Sequence, residues 1–106
     1  MNGIEIWQEA GRAFSQATDA ERGFLEASAE PDVRMKLLLQ IKAALASWWH
    51  DDPEQIPRLL YRIDVDEVKA KTALMSPDPI SALAEEILDR LRLTAMSRIT
   101  YRESRK

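Results

Sequence analysis

The stretch from Val33 to Trp49, "VRMKLLLQIKAALASWW", constrains the fold more than any other part of the chain. At about 100° per residue, Val33, Leu37, Leu38, Ile41, Ala44, Leu45, Trp48 and Trp49 cover nearly half the circumference of a helix. Met35, Leu39 and Ala46 widen that arc, and only Lys36, Gln40, Ala43, Ser47 and His50 form a wet strip. A helix this apolar is buried only by packing on several sides. The spacing therefore predicts a central helix near 33–49 inside an all-α bundle. Pro31 suits its first helical position and Asp32 its first turn.

The flanking segments carry helix signals too. Ile4, Trp7, Gly11 and Phe14 form an a/d-like stripe, and Thr18 and Glu21 have the spacing of a capping box. A second helix holding Phe24 and Leu25 starts there, unless one bent helix runs through residue 29. After Trp49, Asp52–Pro53 restarts the chain. Pro57 does not fit the interior of a helix begun at Pro53, which predicts one short turn and then a helix from about Pro57 to Ile63. Asp64 and Glu67 have capping-box spacing, so a helix is expected from Val65 to roughly Met75; "SPDP" ends it and Pro79 opens a long last helix. Three glycines in 106 residues and few β-branched side chains agree with helix throughout. The expectation is a single domain over 1–106, a compact bundle of five or six helices, with the C-terminal end of the last one a candidate to protrude.

"LLYRIDVDEVKAKTAL", followed by a short proline-containing gap and "ALAEEILDR", resembles a pattern in small, uncharacterised all-helical bacterial proteins. The resemblance covers roughly the second half of the chain. It implies a bacterial cytoplasmic helical protein and no specific reaction.

Reactive chemistry is scarce. His50 is the lone histidine and cysteine is absent, so His-rich zinc sites, thiolate ligands and a cysteine nucleophile are excluded. "HDDPE" (His50–Glu54) gathers one imidazole and three carboxylates, but Asp52 before Pro53 reads as a helix cap. "DVDE" (Asp64, Asp66, Glu67) lacks the glycine and later glutamate of a calcium loop and reads as a first-turn carboxylate cluster. Glu85, Glu86 and Asp89 lack the accompanying Glu-x-x-His of a carboxylate metal pair and read as a solvated face. No serine lies in a G-x-S-x-G context, and the glycines form no phosphate-cradling loop. Neither cofactor nor metal is expected, and an enzyme is the third-ranked reading. With no signal-peptide pattern or membrane-length apolar run, the expected location is cytoplasmic, with no membrane partner.

The aromatic residues divide between core and surface readings. Trp48 and Trp49 stand about 100° apart: either both are core, or one anchors the core while the other meets a neighbour or an interface. Leu59, Leu60 and Ile63 read as core, Tyr61 as a hydrogen-bonding residue at its edge, and Arg58 and Arg62 share a face.

The end of the chain supplies the candidate site. The apolar stripe Ile80–Ala84–Leu88–Leu91 is continued on the same helical face by Arg98, Arg102 and Arg105. A helix from Pro79 to Arg102 is about 36 Å long, against a spherical diameter of about 33 Å, which places the edge of the domain near Met96. The first 32 residues carry seven acids against two arginines, and residues 90–106 carry six basic groups against one acid. Three destinations for the arginines follow: solvent with the helix dipole, an acidic protein surface (this chain's own N-terminal half or that of another copy), or nucleic acid. The acidic pI of 5.2 ranks nucleic acid second as a function. Leu93 and Met96, on the back of the helix, add apolar surface. The favoured reading is a protein–protein interaction module, a regulatory or adaptor subunit or a homo-oligomer, with Leu93, Met96, Arg98, Arg102 and Arg105 as partner-binding residues.

Overall fold

The structure, a computed structural model, describes residues 3–18 and 33–104. Five helices and no strands are found there: α1 (Gly3–Thr18), α2 (Val33–Asp51), α3 (Gln55–Arg62), α4 (Glu67–Leu74) and α5 (Pro79–Ser104). The chain is an all-α bundle with a long C-terminal helix. The expected helix around Phe24 and Leu25, Glu21 of the expected capping box, the Pro31–Asp32 start and Arg105 lie outside the described residues.

Local signals set the helix ends. Asp78 caps α5: its carboxylate accepts from the Ser81 N–H at 3.2 Å, with Pro79 at the first helical position. Asp66, rather than Asp64, caps α4 by accepting from the Lys69 N–H at 3.1 Å. Asp64 instead ends α3, with φ at 60°. There the Val65 N–H reaches the Leu60 carbonyl and the Asp64 N–H reaches the Tyr61 carbonyl, the bonding of a Schellman ending. Leu60 and Val65, which flank it, both pack against the core.

The Asp52–Pro57 segment departs from expectation in two respects. α3 begins at Gln55, two residues before Pro57. Pro57 is tolerated because the first N–H groups of a helix have no intrahelical partner to lose. The Asp52 carboxylate accepts from the Gln55 side-chain amide at 3.2 Å, while Glu54 occupies the N-cap position with no side-chain cap bond.

α5 is the hub. It packs against α1, α2 and α4, with its most extensive contact along α1. Leu83, Ala84, Ile87, Leu88, Leu91, Ala95 and Ile99 are all buried. α2 adds Val33, Leu37, Leu38, Ile41 and Leu45. The residues expected to widen the apolar arc of α2 stay outside, since Met35, Leu39 and Ala46 are exposed; within the narrower arc Trp49 is exposed too, while Trp48 packs against the core. The two tryptophans thus divide, one inward and one outward. Tyr61, expected at the core's edge, is almost wholly exposed.

The buried face of α1 includes the Trp7–Gly11–Phe14 stripe, with Gly11 buried and Trp7 packed against the core, and it is wider than that stripe. Ala10, Ala13 and Phe14 are buried, with Ile6 and Ala17 packed beside them. Small side chains carry little hydropathy signal, but they let a neighbouring backbone approach closely.

The last helix also continues to pack past Met96, because Ile99 is 1% exposed. The spherical estimate fails since the molecule measures 43 × 28 × 23 Å. A 26-residue helix, about 39 Å long, fits within the longest dimension. Only the final turn, Thr100–Ser104, is exposed along its whole length.

Candidate functional site

Glu5, Glu9, Arg12 and Gln16 recur every three or four residues and so share one flank of α1. Along α5, Arg98 and Arg102 are one turn apart and prolong the direction of the buried stripe. Where α1 and α5 meet, the two sets join. Arg102 donates to Glu9 Oε1 at 2.6 Å and Arg98 donates to Glu9 Oε2 at 3.2 Å. Arg12, one turn along α1, donates to Oε1 at 2.9 Å, and Arg98 also reaches Gln16 Oε1 at 3.1 Å. Glu9 is 6% exposed, the one buried charged residue among those described.

The electrostatics of Glu9 is a contest. Burial alone pushes its pKa up, but the hydrogen bonds from Arg102, Arg98 and Arg12 outweigh that effect and hold the carboxyl below its ordinary value. The carboxylate stays charged, and each oxygen is satisfied by at least one guanidinium.

Other arginines serve as clips. Arg62 donates to the Ala17 carbonyl at 2.7 Å, at the C-terminal end of α1. Arg90 donates to the Ile63 carbonyl at 3.1 Å and stands 3.6 Å from Asp64, at the C-terminal end of α3. Cations at these positions meet unpaired carbonyls and the negative end of the helix dipole. Arg34, on α2, lies 5.7 Å from the Trp7 ring centroid and 3.3 Å from Glu85, so it links α1, α2 and α5.

The expected partner-binding residues therefore separate. Arg98 and Arg102 turn inward to Glu9, and Arg105 lies outside the described residues. Met96 is half-buried, its sulfur 3.3 Å from an Arg92 nitrogen that donates to it. Leu93 is 43% exposed and borders two open hollows. One lies between the start of α4 and α5, against Val65, Lys69 and Glu86. The other runs along α5 past Thr94, Ser97 and Arg98 to Tyr101, which is 60% exposed. Tyr101, Glu9, Arg12 and Gln16 were not singled out by sequence reasoning. The opposite charge of the chain ends was the signal pointing toward Glu9, and no signal pointed to Tyr101.

Among the described residues, no group of three or more His, Asp or Glu side chains is placed to hold a metal ion. No described helix is long and apolar enough to cross a membrane. Comparison with protein-family models, curated proteins and solved structures finds no match to this chain.

Proposed function

We propose that the chain is a non-enzymatic protein-interaction module, a small regulatory or adaptor subunit, which docks an amphipathic helix of a different protein on the outer face of α5. The observation that carries this reading is Leu93, an exposed leucine shared by two adjoining hollows, one of which continues to Tyr101. From Arg90 to Tyr101 the face spans about 17 Å, a length suited to a short helix laid alongside. Leu93 and Tyr101 supply apolar area, Thr94 and Ser97 a hydrogen-bonding rim, and Arg90 and Arg98 a basic border. That border favours a partner with acidic residues beside its apolar ones.

A different protein is favoured over a second copy. Glu9, one of the acids that would join two copies by charge, is already engaged within one chain by Arg98 and Arg102. The acidic pI of 5.2 keeps the nucleic-acid reading second.

A photo-crosslinking side chain placed at Leu93, with a control at exposed Lys71 on α4, tests the proposal in the native cell. The expected result is one adduct, specific to position 93, with a partner whose capture is lost in Leu93→Glu while circular dichroism is unchanged. An adduct of the chain with itself would show a homo-oligomer. Equal crosslinking from positions 93 and 71 would refute the docking face.

A further inference from the structure

We propose that Arg12, Arg98 and Arg102 form an oxyanion-binding site at the α1–α5 seam, taking a carboxylate or phosphate group above the buried Glu9. The proposal does not rest on the docking face. It starts from charge: three guanidiniums converge on one carboxylate. Among the described residues of α1 and those bonded to Glu9, counting Glu5, one turn away, still leaves three arginines against two carboxylates.

Geometry adds to charge. Arg12 and Arg102 share Glu9 Oε1, so their donor nitrogens are no farther apart than those two bonds, 2.9 and 2.6 Å, laid end to end. Like charges held so close repel, and a second anion relieves the repulsion that Glu9 only partly neutralises. Each arginine commits a single terminal nitrogen to its bonds here: one of Arg12, one of Arg98 and one of Arg102. Among the described residues, the other terminal nitrogen and the Nε of each remain as donors in a planar fork that matches carboxylate and phosphate oxygens. All three side chains are open to solvent while the Glu9 carboxylate is buried beneath them. Glu9 therefore acts as the floor of the site, fixing the guanidiniums in advance and reducing the ordering cost of binding.

The test is a titration of the full chain followed by the arginine Nε–Hε resonances in NMR. One arm uses inorganic phosphate, another a short poly-glutamate peptide, and a third sodium chloride, all at matched ionic strength. Saturable shifts of the Arg12, Arg98 and Arg102 signals are expected in the phosphate or the peptide arm and not with chloride. Saturation with phosphate alone identifies a small phosphate-class ligand; saturation with the peptide alone identifies an acidic protein segment. Arg12→Gln and Arg102→Gln should each weaken binding about tenfold, as expected for loss of a charge-assisted bond. Two results overturn the site: shifts that match the chloride arm, or saturable binding that both variants leave unchanged. The wild-type titration decides the first of these without any variant having to fold.

Discussion

Arg102 donates a 2.6 Å hydrogen bond to Glu9, a residue 93 positions earlier, and so ties the last turns of α5 to the middle of α1. The apolar stripe of α5 turns into arginine because its neighbour α1 presents a buried carboxylate there. The helix does not leave the protein at that point. Its inner face changes from apolar packing to charged pairing while staying in contact with α1.

This pairing predicts an acid-sensitive fold. Glu9 has a lower pKa folded than its ordinary 4.5. As pH falls, the unfolded chain takes up that proton first, so folding stability falls with it. The contribution of Glu9 is fully present above the usual carboxylate range and is lost progressively as pH drops through its folded pKa. Asp78, held low by the Ser81 hydrogen bonds, acts in the same direction. Urea unfolding from pH 7 to pH 3 should show a steeper loss for wild type than for Glu9→Gln. Parallel pH profiles would count against a charged Glu9.

Core substitutions should discriminate the two sides of α2. Leu37 and Leu45 are fully buried, so Leu37→Ala and Leu45→Ala should each cost about 2–5 kcal/mol. Leu39 is more than half exposed, and Leu39→Ala should change stability by no more than about 0.5 kcal/mol. Chemical denaturation of the three variants checks the assignment. Similar costs at Leu37 and Leu39 would mean that the face of α2 is wrongly placed.

The turn between α3 and α4 makes two opposite predictions for neighbouring aspartates. Asp66→Ala removes a cap bond and should destabilise by about 1 kcal/mol. Asp64→Gly relieves a side chain held at φ 60° and should be neutral or stabilise by up to about 1 kcal/mol. The loss of the exposed 3.6 Å pair with Arg90 subtracts little. Thermal melts that lower the midpoint equally for both variants would contradict the capping roles.

The all-helical fold was legible because apolar spacing and capping residues agree along the chain. Pro79 marked the start of α5, and Leu37, Ile41 and Leu45 marked the inner face of α2. The inner face of α1 was legible in part: Trp7, Gly11 and Phe14 marked it, while Ala10, Ala13 and Ala17 pack through closeness rather than hydropathy and gave no signal. Glu9 was hidden for the same reason, since a carboxylate beside alanines reads as solvent-facing until the opposing arginines are known. Leu93 was legible as an apolar residue on the back of α5. Tyr101 was not, because it lies past Met96, where a spherical domain of this size ends, and the elongated shape carries no sequence signal.

A double-mutant cycle between Glu9 and Arg102 tests the inward turn of the arginines most directly. Glu9→Gln, Arg102→Gln and the double variant would be compared by urea unfolding at pH 7 and low salt. Residues in one ion-pair network couple by about 0.5–3 kcal/mol, and the 2.6 Å bond to a buried carboxylate predicts a coupling of about 1 kcal/mol or more. Additive effects, with coupling below about 0.3 kcal/mol, would contradict the account and return the C-terminal arginines to solvent or to a partner.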